Sequence, residues 1–216
     1  MVVTVDGPAG VGKSTVARAV ARALGAAYLD TGAFYRAATL AVIRAGADAR
    51  DPAAALAAID AADFDFREGE MLLDGQVVTE AIRDPPVANL ASTLSTLPAI
   101  RRVVVERQRS WVTRHGGRAV VEGRDIGTVV FPDAPVKVYL TAALAERARR
   151  RAGDPEAAGL APEEIESQLR ARDHTDSTRA ASPLRPADDA VIIDTTTLGV
   201  EEVVAIVLGL VAEAGS

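Results

Sequence analysis

The chain opens on an apolar run, Val2, Val3 and Val5, that stops at a glycine-rich stretch and gives way to a different period. Val16, Ala17, Val20, Ala21 and Leu24 recur at helical spacing with Arg18 and Arg22 on another face, and Gly25 stands where a helix would end. A strand, a loop and an amphipathic helix are predicted in that order. Ala26 to Leu29 predicts a second short strand running into Asp30, Thr31 and Gly32, and Phe34 to Ala45 a second helix. Asp51 and Pro52 mark the start of a third helix that stops at Asp63.

The period then changes to two. Phe64 and Phe66 alternate with Asp65 and Arg67, Met71 to Leu73 is another apolar run, and Asp74 with Gly75 is a hairpin signal before Val77 and Val78. A small antiparallel lobe is expected here. Asp84, Pro85 and Pro86 return the chain to helix, with stretches Val87 to Leu97 and Ile100 to Trp111 divided by Pro98. Arg101, Arg102, Arg107 and Arg109 along the second stretch fit a solvated basic face. Ala119 to Val121, Val136 to Leu140 and Val191 to Ile193 complete five short strands alternating with helices. That order predicts an α/β fold with a parallel sheet, whose ligands gather at the carboxyl ends of its strands. Between the last two strands, Ala142 to Arg151 and Pro162 to Arg172 predict a helical hairpin about Gly153, Asp154 and Pro155. The final helix carries Val200, Val203, Val204, Val207, Leu208 and Val211 as a core-facing stripe.

Length and composition narrow the picture. The 216 residues, 49% hydrophobic, suit one α/β domain with small insertions. A strand beginning at Val2 leaves no room for a signal peptide, no apolar run reaches membrane-spanning length, and the absence of cysteine excludes disulfides and thiolate metal sites, so a cytoplasmic protein off the membrane is expected. A net charge of −6 argues against a nucleic acid polymer as partner. His115 and His174 are too few and too far apart for a metal cluster. Of the 24 basic residues only Lys13 and Lys137 are lysines, and guanidinium forks match phosphate oxygens in pairs.

The chemistry starts in the glycine-rich stretch. Gly7 to Ser14, GPAGVGKS, fits the GxxxxGKS pattern of a phosphate-binding P-loop, and the predicted strand before and helix after it are the context that pattern requires. A loop without bulky side chains can turn its N–H groups onto an anion at a helix N-terminus. Gly7, Pro8, Ala9, Gly10, Val11, Gly12, Lys13, Ser14 and Thr15 are therefore candidates for binding nucleotide phosphates, with Lys13 aimed at the β and γ phosphates and Ser14 at Mg²⁺. Thr31 and Arg36, near the carboxyl end of the second strand, are candidates for a second anionic group or else a capped helix and a surface arginine. Glu122, Gly123, Arg124 and Asp125 come directly off a buried strand, where unpartnered charge is costly, which favours a functional role. Arg147, Arg149, Arg150 and Arg151 sit near the turn of the helical hairpin. They are either a solvated helix with a Glu146 to Arg150 pair, or a lid too polar to pack permanently that closes on triphosphate.

GPAGVGKST, LDTGAFYR, VEGRDIGTVVFPDAPVKVYL and RDHTDSTRAASPL together resemble the bacterial cytidylate kinases, P-loop nucleoside monophosphate kinases, nearly end to end. The resemblance implies a three-layer fold on a five-stranded parallel sheet, an inserted antiparallel lobe and a helical lid. It divides the chain into a core at 1–30, 118–141 and 186–216, a monophosphate-binding region at 31–117 with its lobe at about 63–86, and a lid at about 142–172. It implies monophosphate contacts from Thr31, Arg36, Arg124 and Arg179, cytosine contacts from Ser92, Arg101 and Asp125, and a ribose contact from Asp176. Glu122 stands where some relatives have Asp, and Phe34 where Met or Ile is usual. The activity implied is transfer of the γ-phosphoryl of ATP to CMP or dCMP by a monomer, with Mg²⁺ and with charge stabilisation from Lys13, Arg36, Arg124, Arg147 and Arg151. A GTPase switch would need a guanine-reading NKxD segment, which the chain lacks, and a P-loop kinase for a non-nucleotide alcohol would need a base near its acceptor, against which the arginine-rich acceptor region argues.

Overall fold

All five runs expected as core strands pair into one parallel sheet. The computed structural model describes residues 1–153, 157 and 159–215. Its elements are β1 (Val2–Asp6), α1 (Lys13–Leu24), β2 (Ala27–Asp30), α2 (Thr31–Arg44), α3 (Pro52–Ala61), β3 (Phe64–Arg67), β4 (Glu70–Leu73), β5 (Gln76–Val77), α4 (Pro85–Leu94), α5 (Pro98–Arg114), β6 (Ala119–Gly123), β7 (Val136–Thr141), α6 (Leu144–Arg151), α7 (Pro162–Thr178), β8 (Val191–Asp194) and α8 (Val200–Ala214). The main sheet has the order β2-β6-β1-β7-β8, and the second sheet is β3-β4-β5. Contacts divide the chain into a first unit, Met1–Tyr28 with His115–Ser216, and a second, Leu29–Arg114.

In the first unit β1 lies between β6 and β7, with Asp6 opposite Gly123 on one side and Tyr139 on the other. The strand order reverses at β1, so the segments leaving β1 and β6 open the crevice in which α/β sheets bind ligands. Val3, Val5, Val120, Val138 and Leu140 are buried from the sheet, and Val16, Ala17, Val20, Val203 and Val207 close over it from α1 and α8. These are the stripes read from helical spacing.

Several boundaries differ from the sequence reading, each for a local reason. α2 begins at Thr31 rather than Phe34, because the Asp30 carboxylate caps it by accepting from Ala33 N at 3.0 Å. α7 runs on to Thr178 instead of ending at Arg172. Its polar end has no apolar stripe to betray it, but Thr175, Ser177 and Thr178 donate their hydroxyls back to carbonyls one turn earlier. After β6 the chain makes a π-helical turn, Ile126–Val130, closed by Phe131 N to Ile126 O at 2.7 Å, which no period announces. The α6–α7 hairpin packs through a small apolar cluster: Ala148, Ile165 and Leu169 are buried with Ala157 against Ala9 of the glycine loop. Asp154 and Pro155 of its expected turn lie outside the described residues.

The second unit holds the antiparallel lobe. Asp74 and Gly75 both take left-handed backbone between β4 and β5, the geometry of a two-residue hairpin, and Glu68 with Gly69 does the same between β3 and β4. Trp111 of α5 is buried edge-on to Phe66 and donates its indole N–H to Phe66 O at 2.8 Å. Arg107, expected on a solvated face, instead donates to Ile59 O and Ala62 O, both at 2.8 Å, over the Phe64 ring. It closes the open carbonyls at the end of α3.

Candidate active site

Gly7 has φ +148, and a Cβ there would lie 2.3 Å from Leu140 O; at Gly10, φ +79, it would lie 3.1 Å from the Arg147 backbone. The loop therefore wraps too closely against β7 and α6 to carry side chains at these two points. Lys13 is the first residue of α1, and its ammonium folds back over the loop to donate to Pro8 O at 2.7 Å. Burial and then the Arg124 charge push its pKa down to about 7, against the pull of Glu122. An ammonium so placed gains strongly from any anion that enters the loop.

Asp6, at the last position of β1, was passed over by the sequence reading. Its Oδ1 accepts from Ile126 N at 2.9 Å and its Oδ2 from Gly127 N at 2.7 Å, which ties β1 to the segment after β6. Burial raises its pKa to about 6 even though both N–H bonds favour the charged form; Asp125 adds to the rise and Lys13 opposes it. A lone carboxylate ending an apolar strand was the available signal. Since the folded pKa lies above the unfolded value, the folded protein binds the extra proton, and this group's contribution to stability is lost as pH climbs from about 4 to about 6. The stability of the native protein relative to Asp6→Asn is accordingly expected to fall by about 3 kcal/mol across that window and to stay flat above it. Urea unfolding of both proteins at pH 4, 5, 6 and 7 checks this, and a constant difference would refute it.

Within the first unit Arg124, Arg147, Arg150 and Arg179 are engaged, not solvated. Arg124 meets Asp176 at 2.8 Å, both largely buried, so residues on β6's exit and on α7 are brought together. Burial pushes the Asp176 pKa up, but Arg124, followed by Arg172 and Arg179, outweighs it and holds the carboxyl below its ordinary value. Asp125 faces Arg179 at 3.6 Å. Glu122 accepts from the Tyr28 hydroxyl at 2.6 Å. Arg147 is buried and donates to Asp173 at 2.6 Å and to Ala9 O at 3.2 Å, hence α7 and the glycine loop share one guanidinium. Arg150 donates to Val11 O at 3.3 Å, to Thr195 and to Glu146 at 2.8 Å; the expected Glu146 pair is present, as one arm of a larger clasp. Arg149 pairs with Glu146 on the surface, and Arg151 ends α6 half-buried. Thr195, which sequence reasoning missed, donates its buried hydroxyl to Thr141 O at 3.1 Å or Val11 O at 3.2 Å.

Within the second unit, Arg36 pairs with Asp30 at 3.0 Å while its buried Nε has no hydrogen-bond partner among the described residues. Arg101 is buried, donates to Ser95 O at 3.0 Å beyond the end of α4 and lies over the Tyr35 ring. α2, α4 and α5 are thus joined at one guanidinium. Thr31 is buried in the first turn of α2, and Ser92, half-buried on α4, donates to Ala88 O at 3.4 Å.

Among the described residues no group of three or more His, Cys, Asp or Glu could hold a metal ion. A Mg²⁺ carried in on phosphates keeps most of its waters and needs one or two protein oxygens, and the Ser14 hydroxyl, half-buried in the first turn of α1, fits that demand. No described helix is long and apolar enough to cross a membrane.

The family model described as cytidylate kinase matches residues 3–213. The chain belongs to the cytidylate kinase family. It is 48% identical to a cytidylate kinase of Rhodococcus opacus over 99% of this chain and 95% of that one, and 47% identical to one of Mycobacterium leprae over 99% and 96%. A bifunctional pantoate ligase/cytidylate kinase of Synechococcus elongatus is 44% identical over 99% of this chain and 42% of its own length. Among solved structures, an uncharacterized protein from Eubacterium ventriosum aligns with TM-score 0.55 at 11% identity over 99% of this chain and 98% of that chain. A Thermus thermophilus protein aligns with TM-score 0.51 at 21% identity, covering 99% and 96%. At such identities these two likenesses speak for the fold alone. The cytidylate kinase sequences carry the family.

Proposed function

We propose that this chain transfers the γ-phosphoryl group of ATP to the 5′-phosphate of CMP or dCMP. The carrying observation is the buried ammonium of Lys13 in its glycine loop, with Arg124 close enough to depress its pKa, in a chain of this family throughout. An acceptor phosphate oxygen attacks the γ-phosphorus, the bond to the β–γ bridging oxygen breaks, and ADP leaves with that electron pair. An acceptor that is already anionic needs no base, so the protein's work is to position and to neutralise.

In this reading Gly7 to Thr15 hold the ATP phosphates, with Ser14 as the protein ligand of Mg²⁺, which supplies charge neutralisation when bound. Lys13, Arg147 and Arg151 act on the transferring group, as do Arg36 and Arg124. In the first unit Arg124 and Arg179 take the acceptor phosphate, Asp125 the cytosine amino group and Asp176 the ribose. In the second, Thr31 and Arg36 are assigned to phosphate, and Ser92 and Arg101 to cytosine. The resemblance supports these assignments, as does the partner set of Arg124, Asp176, Asp125 and Arg179, a buried array of mixed charge. The same reading divides the chain by task into core (1–30, 118–141, 186–216), monophosphate-binding region (31–117, lobe at about 63–86) and lid (about 142–172). It makes the working form a cytoplasmic monomer in pyrimidine nucleotide metabolism.

One assay of ATP consumption with CMP, dCMP, UMP, AMP, GMP and shikimate tests it. CMP or dCMP is expected to be the fastest acceptor; faster turnover with AMP or GMP than with both overturns the reading.

A further inference from the structure

We infer that Asp6 is a positioning residue for acceptor binding, acting through the backbone of Ile126 and Gly127 on Arg124 and Asp125. The inference rests on the acceptor roles given above to those two residues. Three independent features meet at this point. First, both carboxylate oxygens are spent on backbone N–H groups 120 and 121 residues away, at 2.9 and 2.7 Å, while Asp6 itself is almost fully buried. Aspartate carries two acceptor oxygens on a one-carbon stem, so at the end of the strand that leads into the glycine loop it can receive two adjacent amides. Second, those amides open the π-helical turn that directly follows Arg124 and Asp125, and Val129 N and Val130 N both return to Asp125 O, at 2.9 and 3.2 Å. Anchoring the turn therefore anchors Asp125. Third, the turn has no room to settle elsewhere: a Cβ on Gly127 would lie 3.0 Å from Thr4 Oγ1, 3.2 Å from Lys137 Cδ and 3.4 Å from Asp6 Oδ2. Lys137 is pinned in turn by Asp189 at 2.8 Å and by Pro132 O.

The consequence is a division of labour along β1. Gly7 onward wraps the donor phosphates, whereas Asp6, one residue earlier, sets the register of the segment that reads the acceptor. The pair Asp6–Gly123 is level across β1 and β6, so the carboxylate needs no displacement to reach past Gly123 to the following turn.

Asp6→Asn keeps the shape but offers one acceptor and one amide donor, leaving an N–H facing an NH₂. It is expected to raise KM for CMP about 10-fold or more, with KM for ATP changed less than about 3-fold. Gly127→Ala retains the charge of Asp6 while crowding the same turn, and should give the same CMP-selective rise. That second variant also carries the test if the first does not fold. A fall in kcat with KM for CMP unchanged, equal rises in both KM values, or no effect at all would overturn the inference, since each assigns Asp6 to Lys13, to the glycine loop or to nothing. Amide exchange in the free protein needs no substrate: Ile126 and Gly127 should exchange about 10-fold or more faster in Asp6→Asn, and unchanged exchange refutes the anchor. A native protein that does not phosphorylate CMP, beside faster exchange in the variant, would fault the proposed function and leave the anchor standing.

Discussion

Lys13→Met is expected to lower kcat about 100-fold or more, because it removes a charge aimed at the group whose charge is redistributed in the transition state, worth about 3 kcal/mol or more. The structure sharpens the reason. The ammonium is buried, donates to Pro8 O at 2.7 Å, and has its pKa pushed down to about 7 by burial and Arg124. Without nucleotide it is held at a cost; with phosphates in the loop the same charge is stabilised, so its interaction energy is spent on the ligand. Methionine fills nearly the same volume and removes a buried charge, hence the variant should fold with a Tm equal to or above that of the native protein. Steady-state kinetics with CMP and a thermal melt check both halves. Near-native turnover in the variant would remove Lys13 from the reaction.

Asp125→Ala is expected to cost activity on CMP far more than on UMP and so to narrow the ratio between them. Cytosine presents an amino donor at its 4-position where uracil presents an oxygen, so a carboxylate there attracts one and repels the other. A mispaired buried polar contact costs about 1 to 3 kcal/mol, equivalent to about 5-fold to over 100-fold in kcat/KM. The competing role has a concrete partner: Asp125 lies 3.6 Å from Arg179, both side chains almost wholly buried. If Asp125 served only to hold Arg179, its loss would weaken binding of both monophosphates alike, since both carry the same phosphate. Measured kcat/KM for the two acceptors separates these outcomes, and an unchanged CMP/UMP ratio would take Asp125 out of base recognition.

Both residues were legible in the sequence, for reasons that do not extend to their surroundings. Lys13 is marked by a motif whose spacing is dictated by how closely backbone must wrap phosphate, and Asp125 by a charged run leaving a buried strand. Arg107 misled, because four arginines on a helix look solvated until the end of α3 is placed beneath one of them. The polar end of α7 was invisible for a related reason. Asp173 and Asp176 lie three residues apart on one helix face, and what makes that face favourable is Arg147 and Arg124, distant in the chain.

The sequence by itself determined what is local and periodic: the glycine loop between strand and helix, the five apolar runs of the sheet, the Asp74–Gly75 hairpin and the apolar stripes of α1 and α8. Each of these is set by sterics or hydrophobic spacing within about one turn or one hairpin, so neighbours in the chain carry the information. Only the tertiary structure decided which charges are buried and with whom. Asp6 finds its donors at Ile126 and Gly127, Arg147 finds Asp173 and Ala9 O, and Lys13 feels Arg124. Desolvation and Coulomb energies depend on everything within several ångströms of a group, and in a parallel sheet those neighbours come from strands a hundred residues apart.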